Sequence, residues 1–309
     1  MIQKLFSRKF RPAWITAATV VVLAVAFTFP SVQALAANFL GLFRVKQIEV
    51  VQIDPTRLSE INDDETLGEQ MGQMFSDSFK ITKQAGAPQI VASAAEASAL
   101  AGFTVRLPDE IDGQPLLTVQ DSSAFEFTVN RELAQGILTD AGFTEVTLPA
   151  SLDNEPIKVE IPASVSAAYG GCPTPEMTEA ERETFAWDQL STCIIVAQVP
   201  SPTVTAPSDL DIAQLAEVGL QFIGMEAGEA RQLSRSVDWA TTLVIPIPRN
   251  AATVTEVEVD GVTGTLLSRY PDDGVAGRYT LLWVKDDIIY AVSGFGYSSK
   301  AIGVANSMK

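Results

Sequence analysis

The chain has 309 residues, enough for about two domains, and its 47% hydrophobic and 19% charged residues are typical of a folded protein. Its 21 Lys and Arg against 38 Asp and Glu give a net charge of −17, and because such an acidic surface repels phosphate backbones we expect no nucleic-acid partner. The chain has no histidine, which excludes Ser-His-Asp and Cys-His nucleophile systems and most zinc sites.

The N-terminal region has the pattern of a membrane anchor. Residues 1–11 contain four cations and no acid, and residues 12–43 contain no formal charge. A run of about 20 apolar residues is long enough to cross a bilayer as a helix, and cations that precede it keep the N-terminus in the cytoplasm. The sequence therefore predicts a cytoplasmic tail over 1–11, a single transmembrane helix over 12–36 and an extracytoplasmic body in the cell membrane.

A cleaved signal peptide is the alternative interpretation of the same segment. Ala34-Leu35-Ala36 matches the small-x-small pattern of a cleavage site. The apolar core at residues 13–29 is longer than the roughly 7–15 residues usual in a signal peptide, which favours an uncleaved anchor. In either case the rest of the chain is exported, and cleavage would make it a secreted protein.

The two cysteines, Cys172 and Cys193, both lie in the exported part. An oxidising compartment favours a disulfide between them. This disulfide would close a loop of about 22 residues and stabilise the fold by roughly 3 kcal/mol in the loop-entropy model. Two alternatives stay open: a pair of free buried thiols, or a reactive thiol at Cys172, although no cation or histidine lies beside it in the local sequence to stabilise a thiolate.

Periodicity and turn residues predict an α+β fold of antiparallel sheets with packed helices, in a two-part extracytoplasmic region. The segment 200–209 contains three prolines and predicts an extended linker. The predicted organisation of the exported part is a juxtamembrane strand and helix over 37–83, a first α+β domain over 84–199, the Pro-rich linker over 200–209, and a second α+β domain with a β-meander and a closing helix over 210–309.

The elements expected before the linker begin with a strand that leaves the membrane and a helix with one apolar side. They are, in chain order, strand 44–53, helix 63–80, a helix from the Ser93 cap to Gly102, strand 103–107, the strand pair 116–120 and 125–129, a helix from the Asn130 cap to Gly142, and strands 143–148, 157–161, 164–169 and 193–199. The match of Ala101–Thr104 with Ala141–Thr144 leaves open an internal duplication within 84–199.

Two hairpins dominate the part that follows the linker. Asp260-Gly261 is a strong signal for a two-residue hairpin turn, and Asp286-Asp287 is expected to form a second one. The expected elements are helices 210–223 and 227–234, strand 243–247, the hairpins 253–259 with 263–268 and 278–284 with 288–292, and a closing helix over 299–308.

No pattern in the chain predicts catalysis or cofactor binding. Nucleophile and phosphate-loop motifs are missing, and calcium is the metal that the acidic clusters could suit. The clusters are Asn62–Glu65, Asp209 with Asp211, and Asp272–Gly274. None has the spacing of a calcium loop, and each fits a helix N-terminus or a turn. We therefore predict no catalytic residue, no cofactor and no metal site, with a hydrolase that uses only Asp and Glu as a remaining alternative.

The C-terminal meander carries a family resemblance. Residues 257–267, 279–290 and 302–308, together with 39–45 after the anchor, resemble a bacterial extracytoplasmic domain family of unknown function, found C-terminal to the membrane helix of anti-sigma-factor-like proteins. The resemblance implies an outer-surface sensory or regulatory module. Because the predicted cytoplasmic tail is only residues 1–11, we expect no sigma-factor-binding domain there, and regulation through a protein partner in the membrane or envelope.

The sequence thus predicts a membrane-anchored extracytoplasmic binding or sensing module that is not an enzyme and is accessory to envelope signalling. A structural envelope protein or secreted protein without a regulatory role is the second hypothesis. An exported hydrolase is the third.

Overall fold

The computed structural model describes residues 44–54, 56, 65–153, 155–178, 180–181, 187–207, 210–269 and 277–309. The predicted cytoplasmic tail 1–11 and transmembrane helix 12–36 lie outside these residues. Within the described ranges, no helix is long and apolar enough to cross a membrane.

The described residues form a mixed fold of antiparallel sheets and several helices. The strands are β1 Gln47–Ile53, β2 Phe79–Lys83, β3 Gln89–Val91, β4 Leu116–Gln120, β5 Ser123–Thr128, β6 Pro156–Ile161, β7 Ser164–Tyr169, β8 Ile194–Pro200, β9 Thr203–Thr205, β10 Thr242–Pro248, β11 Thr253–Val259, β12 Val262–Arg269, β13 Arg278–Lys285 and β14 Ile288–Phe295. The helices are α1 Glu65–Ser78, α2 Ala94–Ala101, α3 Arg131–Asp140, α4 Trp187–Leu190, α5 Ile212–Phe222, α6 Ala227–Ser236 and α7 Ser299–Asn306, with a 3-10 turn at Ala150–Leu152.

The strands lie in three sheets. An eight-stranded sheet has the order β11-β12-β13-β14-β8-β7-β4-β3, and a four-stranded sheet has the order β2-β5-β6-β9. Every neighbouring pair in these two sheets is antiparallel. The third sheet is the parallel pair of β1 and β10.

The eight-stranded and four-stranded sheets are continuous with each other, because β4 leads into β5, β6 into β7 and β8 into β9. Gln120 of β4 lies opposite Ser164 of β7, and after two unpaired residues on each strand Ser123 of β5 lies opposite Ile161 of β6. The register is therefore unbroken from one sheet to the other. The same is true of the next pair of strands: the register in which β7 pairs with β8 is the register in which β6 pairs with β9 beyond the bend. The two sheets are thus one sheet with a bend across it.

Three prolines lie at this bend, and one of them, Pro202, belongs to the segment that the sequence predicted to be a linker. Pro88, Pro162 and Pro202 each lie between strands on the two sides of the bend. Proline has no backbone N–H, so it is tolerated where a β ladder is interrupted. The predicted linker 200–209 is therefore the point where β8 ends and β9 begins.

The fold does not follow the predicted division into the domains 84–199 and 210–309. β8 from before the Pro-rich segment pairs with β14 from the C-terminal meander over seven residue pairs. Phe43–Lys309 forms a single compact unit. The juxtamembrane strand belongs to the same unit, because β1 pairs with β10.

Three local predictions before the linker also differ from the structure. The strands at 116–120 and 125–129 form as β4 and β5, but each pairs with another strand. Residues 103–107 and 143–148 form no strand. Helix and glycine do recur, with φ of 79° at Gly102 and 86° at Gly142, but the strands of the hypothesised duplication do not. Leu107 instead exchanges two backbone hydrogen bonds with Lys309.

The predicted hairpins are confirmed. Asp260 and Gly261 have φ of 52° and 78°, and Asp286 and Asp287 have φ of 52° and 61°. Two positive φ values in a two-residue loop give a turn whose twist matches that of paired strands. β11 with β12 and β13 with β14 consequently form the predicted meander.

The main core lies on one face of the eight-stranded sheet, under α2 and α7. Its sheet residues include Leu117, Val165, Val196 and Trp283, all less than 4% exposed. A second core lies between the four-stranded sheet, α3 and α5. A third joins β1 to α5 and α6.

Side chains alternate between the two faces of a strand. The side chains of β4, β7 and β8 that do not enter the main core therefore point to the opposite face of the sheet, here called the outer face.

A charged cluster around Asp260 connects distant parts of the main core. The Asp260 side chain is only 8% exposed. It accepts hydrogen bonds from Arg106 Nη1 at 2.5 Å and Nη2 at 2.9 Å, from Lys285 Nζ at 2.8 Å and from Trp283 Nε1 at 3.3 Å. A buried carboxylate is stable only with such partners.

Arg106 also forms hydrogen bonds with the C-terminal segment and with β8. Its Nη2 donates to the carbonyl of Met308 at 2.7 Å. Its backbone exchanges two hydrogen bonds with the side-chain amide of Gln198, which is fully buried. The loop after α2, the β11–β12 turn, β13, β8 and the C-terminus are thus joined.

These contacts change the pKa of Asp260. Burial acts to raise the pKa, but hydrogen bonds from Arg106 and Lys285 outweigh burial and lower the pKa from 3.8 to about 2. The hydrogen bond with Asp260 is also the largest cause of the raised pKa of Arg106. An acid whose pKa falls on folding stabilises the fold fully above its unfolded pKa, and this contribution is lost as pH falls through the folded pKa.

We predict that Asp260→Asn lowers the free energy of unfolding by about 3 kcal/mol, because it leaves two partly buried cations, Arg106 and Lys285, without their buried counter-ion. Urea unfolding followed by tryptophan fluorescence measures the loss. Asp287→Asn is the matched control: Asp287 also lies in a positive-φ turn, but its ion pair with Arg44 joins side chains that are 52% and 55% exposed. The control should lose less than about 1 kcal/mol. Equal losses in the two variants would contradict the assignment.

We also predict that the stability gap between wild type and Asp260→Asn depends on pH. Since the pKa of Asp260 falls from 3.8 to about 2 on folding, the gap should shrink by roughly 2 kcal/mol between pH 5 and pH 2. Urea titrations at several pH values in that range measure it. A gap of constant size would show that the ionised carboxylate is not the stabilising species.

Candidate binding site

The outer face of the sheet carries an open trough over β4, β7 and β8, with a volume of about 670 Å³. Its floor runs along β7, whose outward side chains are Ser164, Ser166 and Ala168, while Val165 and Ala167 are buried on the other face. Because these three outward side chains are all small, they leave a valley between the side chains of the neighbouring strands. The walls are Leu116, Thr118 and Gln120 on β4, and Ile195, Ala197 and Val199 on β8.

One end of the trough lies directly after the disulfide in the chain. The sulfur atoms of Cys172 and Cys193 lie 2.01 Å apart, the distance of a disulfide bond, as the sequence predicted. Pro173–Pro175 follows Cys172 and forms the rim of the trough, and Ile195 of the wall is two residues after Cys193. The disulfide therefore ties the start of the rim to the residue that precedes β8.

Two glycines before Cys172 allow the chain to approach α4 and the turn that follows α4 closely. A Cβ at Gly171 would lie 2.5 Å from the carbonyl oxygen of Gln189, and a Cβ at Gly170 would lie 2.5 Å from that of Thr192. Gly170 also has a φ of 73°, which disfavours other residues. These two positions explain why the sequence before Cys172 is Gly-Gly.

The trough is uncharged. None of the described residues that line it carries a formal charge, although 19% of the chain does. Beyond the bend, the same face of the sheet is charged, because Glu126 lies 4.0 Å from Lys80 and 3.5 Å from Lys158. The trough can therefore bind apolar groups, and the hydroxyls of Thr118, Ser164 and Ser166 can add hydrogen bonds to a neutral polar group.

The acidic clusters considered as calcium sites show no such role where they are described. Asp211 caps α5 by accepting a hydrogen bond from the backbone N–H of Gln214 at 2.9 Å. Residues 62–64, 209 and 272–274 lie outside the described residues. Within the described part of the chain, no group of three or more His, Cys, Asp and Glu could hold a metal ion.

Sequence reasoning found the two cysteines but missed the trough and the Asp260 cluster. The available signal for the trough was the run Ser164–Tyr169, in which small outward residues alternate with buried apolar ones. The same alternation occurs on any strand with one solvated face. Arg106 gave no signal, because Asp260 and Met308, to which its side chain donates hydrogen bonds, lie more than 150 residues away in the chain.

Comparison of the chain with protein-family models, with curated proteins and with solved structures found no match. The family resemblance of residues 257–308 therefore stays a prediction, and the site is interpreted from its own geometry.

We predict that the double variant Cys172→Ser/Cys193→Ser loses about 3 kcal/mol of unfolding free energy, because the unfolded chain gains the entropy of an open loop of about 22 residues. Urea unfolding with and without dithiothreitol measures the loss. The reductant should destabilise wild type to the level of the variant and leave the variant unchanged. A fully reduced wild type with an unchanged midpoint would contradict the prediction.

Proposed function

We propose that the chain is a membrane-anchored extracytoplasmic binding module and that the trough is its ligand site. The observation that carries the proposal is an open, uncharged trough in a chain of net charge −17. A solvent-facing sheet surface in such a chain would normally carry charged side chains, as the same face does beyond the bend. Concave, mostly apolar surfaces with a few polar groups are typical of ligand sites.

Two features support export of this body. The disulfide at the rim is the kind of bond that persists in oxidising compartments and is rare in the cytosol. The uncharged segment 12–43 with four cations before it is the pattern of an uncleaved anchor. Both features suit a protein whose folded part works in the cell envelope.

A role in envelope signalling is the finer part of the proposal. The resemblance to the extracytoplasmic domains of anti-sigma-factor-like proteins supports a sensory role. In this view a ligand in the trough is the signal, and a protein partner in the membrane or envelope receives it. A ligand can act in this way only if the partner binds the occupied and the empty forms with different affinities.

Photo-crosslinking of the full chain in the membranes of its own cells tests the proposal. A photoreactive amino acid at Ile195 lies in the trough, and one at Ile161 is the matched control on the opposite face, since both isoleucines are 38% exposed. We expect the probe at position 195 to label a reproducible partner or ligand at least tenfold more than the probe at position 161.

Protease treatment of spheroplasts in the same preparation tests the location. The proposal expects the chain in the membrane fraction, with its body cleaved from outside. Intact chain in the cytosol with reduced cysteines would contradict export. A trough probe that labels no more than the control would support the hypothesis of a purely structural envelope protein.

A further inference from the structure

We infer that the trough binds the aliphatic chain of a neutral, single-chain amphiphile, with the polar group of the ligand toward the bend. The inference rests on the proposed function, since it names the ligand class of the same site. It follows from three properties of the trough. Its polarity changes along β7, the backbone groups of the strands that form it are already paired, and its lining has no charge.

The polarity of the trough changes from one end to the other. At the rim end the side chains are Ala168 on the floor, Leu116 and Ile195 on the walls, and the prolines of Pro173–Pro175. At the bend end, Ser164 lies on the floor, with Gln120 on one wall and Val199 on the other. The two ends are four residues apart along β7, which is about 13 Å in a β-strand. One end thus suits an aliphatic chain and the other a polar group.

Gln120 is set up to bind a hydroxyl group. Its side-chain nitrogen donates a hydrogen bond to the carbonyl oxygen of Gly86 at 2.8 Å, which fixes the amide. The amide oxygen can then accept a hydrogen bond from a ligand, and the Ser164 hydroxyl can donate or accept one. An ester or hydroxyl head group has the matching donors and acceptors.

The backbone of the floor disfavours a peptide as the ligand. β4 lies between β3 and β7, β7 between β4 and β8, and β8 between β7 and β14. Each of the three strands that form the trough therefore has a neighbour on both edges, and its ladder groups are already paired. A peptide in the trough would leave its own N–H and C=O groups without backbone partners, which is costly when water is excluded. An aliphatic chain has no such groups.

The lining also disfavours a charged head group. None of the described lining residues is charged, so an ionised carboxylate or phosphate would lose hydration without gaining a counter-ion. The net charge of −17 adds repulsion for any anion. A neutral amphiphile avoids both penalties, and burial of its methylene groups favours binding.

Photolabelling of the full chain in lipid nanodiscs tests the inference. The probe is the glycerol monoester of a ten-carbon fatty acid with a diazirine at the end of its chain. We expect labels on peptides that contain Leu116, Ile195 or the rim, at the apolar end of the trough. The free fatty acid with the same diazirine, ionised at neutral pH, should label these peptides at least tenfold less.

Two variants with the same substitution provide the control. Ala168→Phe fills the apolar end of the valley from a half-buried position on the outer face, and should lower the labelling at least tenfold. Ala124→Phe places the same ring on the outer face beyond the bend, and should leave the labelling unchanged. Ser166→Val, a milder change that suits a strand, should lower the labelling in part and keeps the test valid if Ala168→Phe does not fold.

The results separate this inference from the proposed function. Equal labelling by the ester and by the free fatty acid, or labelling that Ala168→Phe and Ser166→Val do not reduce, would overturn the inference. If the probe at position 195 captures a protein in cell membranes while the ester labels nothing in the trough, the binding module stands and its ligand is not an amphiphile.

Discussion

The fold depends on the pairing of one buried carboxylate, Asp260, with Arg106 and Lys285. The hairpin turn that presents Asp260 is set by local sequence, but its partners come from a loop far upstream and from the next hairpin. Arg106 then binds Gln198 on β8, and the residues on either side of Gln198 form a wall of the trough. A charge that is expensive to bury thus fixes β8 from the core side, while the outer side of the same strand stays open to ligand.

The bend divides the sheet into two parts whose outward side chains differ in charge. On the side of the eight-stranded sheet, none of the described residues that line the trough over β4, β7 and β8 is charged, and the disulfide anchors the rim of the trough. On the side of the four-stranded sheet, the same face carries an ion-pair group around Glu126. The register continues through the bend. Side chains therefore keep the same alternation between the two faces where the chain passes from β4 to β5 and from β6 to β7. The change in character therefore comes from the residues themselves, with Ser164, Ser166 and Ala168 on one side and Lys158 and Glu160 on the other.

What could be predicted from the sequence was local. Ser93 and Asn130 accept hydrogen bonds as helix caps, and the turns at Asp260-Gly261 and Asp286-Asp287 form, because cap and turn chemistry acts over a few residues. The disulfide was predictable because two cysteines allow one pairing. The Pro-rich segment was misinterpreted because a linker and a strand interrupted by a bend have similar compositions. The pairing of β1 with β10 and of β8 with β14, and with them the trough, depend on contacts across the whole chain that no periodicity records.

The central claim is that the outer face over β7 is an open site that a ligand occupies. A crystal structure of the full chain, extracted from its own membrane without delipidation, tests this most directly. We expect one elongated density that follows β7 from Ala168 to Ser164, with its narrow end under the rim. Ordered water alone along that path, or a sheet face closed over by side chains of its own walls, would contradict it.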